Sequence, residues 1–374
     1  MLSFVPIAVF IVFGIIGNVI NVLIFSKRKM RHIATFRYLL YLSVSDLFVL
    51  LFTASDNLIK SNISLGFREY SLFPCNIHKF LAYSTSYVSS CLSIAVSIEK
   101  ALVVSRISLD SLDMSQSKNS CPSDVSSRKA LLRRRITLVD RNVAILVVAM
   151  LLINIHFVFL IKPTSIFSSQ DRDQHKNGLE ANGSSFEIVY CMPAKELFYA
   201  EFLANAWIFL DICMYSLLPF SFMSVCSVII IVKLKKVNKI YVSLMDSSVF
   251  NRSIYLKKLK RNFETSLMLL STSFYFLVTM VIFWICFFFY KDRRESLENN
   301  LVHTLVYMLL YSNNAFGILF YALCSQKYRT LVFNLIWTCL LCKLRYSDFK
   351  KNWYRFSNVW MLQAAKKQLL TINV

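Results

Sequence analysis

Residues 36–59 read FRYLLYLSVSDLFVLLFTASDNLI, a stretch whose only charges are Arg37 near its start, Asp46 at its centre and Asp56 near its end. A hydrocarbon core about 30 Å thick is crossed by about 20 residues of helix. Lipid offers the backbone no hydrogen-bond partners, so a segment this long and apolar pairs its own amides as a helix. An ionised Asp46 in mid-span costs at least about 2.5–3.5 kcal/mol on insertion scales, so it must turn from lipid toward other helices. The stretch predicts a span, and the acid within it predicts a bundle.

Six more stretches follow the same rule, at roughly 3–26, 77–104, 143–162, 202–232, 265–290 and 300–323. Composition agrees: the 374 residues are 56% hydrophobic and 17% charged, with 32 Phe, 6 Gly and 6 Pro, whereas soluble domains are about 25% charged. The expectation is an all-α membrane protein with a seven-transmembrane helix bundle over 1–323. An odd number of spans leaves the two ends on opposite faces. The first stretch is too long for a signal-peptide core and no positive charge precedes it, so it reads as a retained helix.

The net charge of +21 would suit nucleic acid if it were gathered on a soluble face. Its distribution argues otherwise. Thirty of the 42 Lys and Arg lie in 26–35, 105–142, 233–263 and 324–374, all on one side of the expected topology, while 60–74, 163–200 and 291–299 hold eight. Cationic loops stay cytoplasmic. The N-terminus is therefore expected outside and the basic tail inside, facing anionic lipid and cytosolic partners. Two glycosylation sequons, at Asn62 and Asn182, fall in expected outside loops, and a third at Asn251 falls inside.

Residues 324–343 read as an amphipathic eighth helix lying on the membrane, with Leu331, Val332, Leu335, Ile336 and Leu340 amid polar positions. Residues 344–374 form a cytoplasmic tail. Cys339 and Cys342 are palmitoylation candidates or an unmodified pair of thiols. The Ser- and Asp-rich segment 108–127 reads as disordered. Cys91, Cys213, Cys226 and Cys286 read as small packing residues. Cys75 and Cys191 both fall on the outer side, where a disulfide persists; either they pair across the top of the bundle or both are free.

Several positions match a known pattern in their spacing. The first helix has Gly17-Asn18, and the second has Leu42-Ser43-Val44-Ser45-Asp46-Leu47. Cys75 stands 25 residues before Lys100, and Pro219 lies in the fifth helix. Asn313-Asn314-Ala315-Phe316-Gly317-Ile318-Leu319-Phe320-Tyr321 aligns with NSxxNPxxY, with Tyr328-Arg329 seven residues further on. Over about residues 3–343 the chain resembles the rhodopsin-like G-protein-coupled receptors, in particular divergent invertebrate neuropeptide receptors of the FMRFamide or RF-amide type. It departs from that family at four places. The D/E-R-Y triplet is Glu99-Lys100-Ala101, and a lysine lacks the planar fork of arginine. Gly317-Ile318 replaces NP, the sixth helix has no proline for CWxP, and the fourth has no Trp. These departures bear on activation rather than on the fold.

The resemblance implies that Asn18, Ser89, Asn313 and Asn314 gather around Asp46. Such a cluster holds either a sodium ion or a hydrogen-bonded knot between helices one, two and seven. It also implies an activation switch of Glu99, Lys100, Glu264 and Tyr321, with Lys100 paired to Glu99 or Glu264 at rest. A lysine reaching toward headgroups is the other reading. Arg133-Arg134-Arg135 and the basic cluster 257–261 suit a heterotrimeric G protein or anionic lipid equally.

In the family, ligands bind in the outer half of the bundle, where Asp56 and Asp211 fall. Tyr83, Tyr87, Tyr307 and Tyr311 stand at helical spacing beside them. Amine receptors carry an aspartate where this chain has Ala82, 18 residues before Lys100. Carboxylates among aromatics suit an arginine-containing peptide, because guanidinium pairs bidentately and stacks on rings. The alternative is that the acids pair with neighbouring helices and the tyrosines are core. The expected function is a plasma-membrane receptor for an extracellular ligand, a short neuropeptide, signalling to a G protein. An orphan chemosensory receptor or a non-enzymatic transporter or channel is the alternative, although transporters show repeats and Gly/Pro-broken helices. His156 stands alone, and no P-loop, GxGxxG, HExxH or paired CxxC is present, so no enzyme is expected.

Overall fold

Glycine and proline are rare in this chain, and long helices are the consequence. The structure, a computed structural model, describes residues 4–56, 75–116, 125–166, 188–193, 197–244, 252–290 and 297–343. Helix α1 (Phe4–Phe25) and the single turn Arg28–Arg31 precede α2 (Ala34–Phe48), which widens into a π-helical turn over Val49–Ala54. Then come α3 (Cys75–Gln116) and α4 (Val125–Asn154), the latter prolonged past Ile155 by His156–Leu160. Strands β1 (Ile161–Ile166) and β2 (Ile188–Pro193) pair antiparallel, with Pro163 opposite Cys191. The chain is helical again from Leu197, through π-helical turns at Leu203–Trp207 and Cys213–Leu217, into α5 (Leu218–Leu244). Helices α6 (Arg252–Tyr290) and α7 (Leu297–Ala315) follow, and α7 continues as Gly317–Cys324 after a 50° bend. An extended Ser325 then breaks the path before α8 (Gln326–Lys343).

Among the described residues, six helices are long and apolar enough to cross a membrane, or seven when the bent pair of α7 counts as one span. The packing is the reverse of a soluble protein's. Asn18, Asn21, Ser45, Asp46, Ser89 and Lys100 are buried, while Ile145, Val148, Leu152, Phe159 and Phe209 face outward more than half exposed. Polar groups inside and a belt of bare apolar side chains outside are what a lipid solvent selects. Helix α3 packs against α2, α4 and α5, and α7 closes back on α1.

Local chemistry explains the irregular turns. Pro219 has no N–H to offer the carbonyl of Tyr215, and its ring crowds that turn, which widens at Cys213–Leu217. In α2 the Ser55 hydroxyl reaches back to the Leu50 carbonyl at 2.9 Å and to that of Leu51, beside the widened turn. The α7 bend needs no proline. Phe316, with φ −93° and ψ 4°, leaves the helical region, and its ring lies edge-on to Phe10 and Phe13 of α1 at 5.8 and 5.9 Å.

Two sequence expectations meet different local structure. Residues 108–116 and 125–127, expected within a disordered insert, are helical. Elongating an existing helix avoids the nucleation cost, and 75–116 has no Gly or Pro to stop it. The β1–β2 pair adds two short strands to the otherwise helical elements among the described residues. The chain divides into two units, Met1–Ser325 and Gln326–Val374; in the second, α8 stacks Phe333 on Trp337 at 5.9 Å, both exposed.

Candidate functional site

The first site is built around Asp46. One carboxylate oxygen, Oδ1, accepts from the Ser89 hydroxyl of α3 at 2.5 Å and from Nδ2 of Asn314 of α7 at 2.7 Å. The same Asn314 nitrogen lies 3.1 Å from Ser89 Oγ, and the Asn314 carbonyl accepts from Asn18 Nδ2 of α1 at 2.7 Å. Four helices are tied at one level. Asn313 turns the other way and donates to Thr279 of α6 at 2.7 Å, although it lines the same cavity. That cavity, about 70 Å³, runs past Ser90, Ser93 and Ser97 to Tyr321, which is room for several waters by the usual ~10–15 Å³ criterion.

The donor set tests the sodium expectation directly. Ser89 and Asn314 both aim hydrogens at Asp46 Oδ1, while the Ser89 hydroxyl keeps its lone pairs, the Asn314 side chain keeps its oxygen and Asp46 keeps Oδ2, so acceptors for a cation remain. As arranged, the cluster is a hydrogen-bonded knot, and the oxygens it leaves over border the adjoining cavity.

The second site lies between α2, α3, α5, α6 and α7, a cavity of about 320 Å³. Asp56, Tyr83, Asp211, Tyr307 and Tyr311 all line it. Tyr87 does not; its hydroxyl donates to Asp211 Oδ1 at 2.9 Å from one side. The tyrosines form packed pairs, Tyr83 edge-on to Tyr87 at 6.1 Å and Tyr307 stacked on Tyr311 at 6.1 Å. Tyr215 lines both cavities, so its ring stands between them. Trp284, also in the outer cavity, is held by a 2.7 Å bond from Nε1 to Ser216.

Lys79 shares this cavity, with its ammonium 5.2 Å from the Phe157 ring centroid. Sequence reasoning overlooked it. The signal was its position four residues before Tyr83, on the same helical face. A cation beside two carboxylates changes the chemistry: the cavity wall presents both signs of charge.

At the opposite end of α3, Glu99 pairs with Arg135 of α4 at 2.8 Å. Lys100 itself is 2% exposed. Glu264 is half-buried on α6, and Tyr321 is buried with its ring 5.7 Å from Phe25. Cys75 is disulfide-bonded, whereas Cys91, Cys213, Cys226, Cys286 and Cys324 are free thiols. Cys191 sits on β2, which touches α3. Cys339 and Cys342 fall on α8. Asn62 and Asn182 lie outside the described residues. No protein-family model matches the chain, and no curated protein matches it.

Proposed function

We propose that the chain is a G-protein-coupled receptor that admits an extracellular ligand to the outer cavity and signals to a heterotrimeric G protein at the other face. The observation that carries this reading is the stacking of two cavities on Tyr215: one lined by Asp56, Asp211 and aromatics, the other leading from the Asp46 knot to Tyr321. A ligand that displaces Tyr215 or Trp284 alters packing at the knot, where four helices meet. That is the minimum a transmembrane signal requires. The basic segments facing one side support an orientation with the N-terminus outside and the C-terminus in the cytosol of a plasma-membrane protein. Cys191 is the partner we assign to Cys75, since β2 lies against α3. With α7 counted as one bent span, the fold is a seven-helix bundle followed by an interfacial α8, whose exposed Phe333, Ile336 and Trp337 suit a headgroup boundary.

The cavity also bears on ligand size. Drug-sized molecules occupy about 300–1,000 Å³, and 320 Å³ is the small end of that range. It takes one or two residues of a peptide, with the rest lying outside. An arginine next to an amidated aromatic fits: guanidinium on Asp211 or Asp56, ring among Tyr307, Tyr311 and Phe283. This is the RF-amide reading. The test is a calcium and cAMP response screen against a panel of such peptides in cells with confirmed surface expression. A response lost in the Asp211→Asn variant supports it; silence across the panel removes the peptide assignment.

A further inference from the structure

Between α3 and α4, away from both cavities, lies an open groove of about 620 Å³. Arg106, Arg134 and Arg135 line one end of it, together with Glu99. Glu99 takes Arg135 at 2.8 Å. Arg106 and Arg134 are exposed, and among the described residues neither is in an ion pair. Three guanidinium groups therefore share one groove with a single carboxylate, Glu99, which is bonded to Arg135 and feels Arg106 at longer range. The remaining wall is apolar: Ile98, Leu102 and Leu138 are 37%, 48% and 45% exposed.

We propose that this groove is a specific binding site for one anionic phospholipid, its phosphate-bearing headgroup on Arg106 and Arg134 and an acyl chain along Leu102, Leu138 and Leu146. Length argues for a lipid rather than a soluble anion. From Arg134 to Leu146 the groove follows twelve positions of α4, about 18 Å of helix, close to the ~15 Å of one hydrocarbon leaflet. Charge argues for an anionic lipid rather than a neutral one, because arginine forks match phosphate oxygens bidentately. The groove runs from charged to greasy in the order a lipid does. This site lies beyond the receptor reading and does not depend on it, since its readout is lipid retention rather than signalling.

The test uses the full chain in phosphatidylcholine nanodiscs titrated with fluorescent phosphatidylinositol 4,5-bisphosphate, read by energy transfer from the protein. Retention is expected to be saturable, and to weaken about 150-fold or more in the Arg106→Gln/Arg134→Gln variant, since two charge-assisted guanidinium–phosphate contacts are lost. The control is Lys235→Gln/Lys236→Gln, which removes the same charge from exposed positions on α5 that do not line the groove; those cations supply diffuse attraction alone, so retention is expected to fall by no more than about 30-fold. Equal losses in the two variants would mean diffuse attraction, and no loss in either would leave no site; each overturns the proposal. Displacement of the lipid by the water-soluble inositol phosphate headgroup at equal concentration would also overturn it, by showing a free-anion site.

Discussion

The guanidinium of Arg37 on α2 grips the carboxylate of Asp140 on α4 through both oxygens, Nε to Oδ1 at 2.8 Å and Nη2 to Oδ2 at 2.9 Å. The Tyr41 hydroxyl donates to the same Oδ1 at 2.9 Å, and its ring lies 5.5 Å from the guanidinium carbon. A lysine keeps the charge but not the fork. We expect Arg37→Lys to lose most of the α2–α4 coupling, about 1 kcal/mol for a partly exposed pair. A double-mutant cycle with Asp140→Asn, read as thermal unfolding of detergent-purified protein, measures that coupling. Additive effects of the two substitutions would mean the clasp contributes nothing.

The Asp46 knot makes a sharper prediction because its geometry is reciprocal. Asp46→Asn keeps an oxygen that accepts from Ser89 and Asn314 but turns two charge-assisted bonds into neutral ones, at a cost of about 1–3 kcal/mol, nearer 0.6 if helices in lipid find other partners. Exchanging the two, Asp46→Asn with Asn314→Asp, restores one carboxylate and one amide at 2.7 Å. The double variant is therefore expected to melt closer to the parent than either single variant. Replacing sodium chloride by choline chloride is expected to leave the parent's melting unchanged. A drop of several degrees that Asp46→Asn abolishes would instead favour the cation reading.

These two sites differ in how far the sequence reveals them. A carboxylate in the middle of an apolar span has to be buried among polar groups, so the surroundings of Asp46 follow from its cost. Which of two adjacent asparagines meets it does not. Asn313 and Asn314 stand about 100° apart on a helix of 3.6 residues per turn, and only the packing of α7 on α1 and α6 chooses Asn314. Arg37 and Asp140 lie 103 residues apart, with no periodicity to link them, so that clasp is invisible before the helices are placed. The spans were legible because apolar length is a local property. The extension of α3 to Gln116 was not, because a polar helix resting on an apolar one has no hydrophobic signature of its own.

Close approach of α1 to its neighbours rests on two glycines that are not equivalent. A Cβ at Gly14 would meet Ala315 Cβ and Leu50 Cδ1 at 2.8 Å and the Ala315 backbone at 3.1 Å. At Gly17 the only conflict under 3 Å is with the Cγ2 methyl of Ile318, at 2.8 Å. Backbone yields less than a side-chain tip, so Gly14→Ala is expected to destabilise by about 1–3 kcal/mol and Gly17→Ala by less. Parallel melts of the two variants rank them. If Gly17→Ala proves the worse, the α1–α7 contact is not limited by the Ala315 backbone.

In the outer cavity, Asp211 is held by Tyr87 and Lys79 lines the same space, which separates two kinds of ligand. A purely cationic ligand competes with Lys79 for the carboxylates, so Lys79→Gln should raise its potency while Asp211→Asn lowers it. A peptide that also presents an acceptor, such as a carbonyl or a carboxylate, should lose potency in both. Tyr87→Phe removes a hydroxyl that donates to Asp211, leaving the carboxylate freer to take a guanidinium. Its effect on a cationic ligand is therefore expected to follow Lys79→Gln in sign and to be smaller. Loss of one charge-assisted bond is worth about 1.5–3 kcal/mol, or roughly 10- to 150-fold in potency. Concentration–response curves for the three variants against one active peptide give the signs together. Equal losses in all three would point to a distorted cavity rather than a contact, and unchanged potency in Asp211→Asn would remove that carboxylate from the binding site.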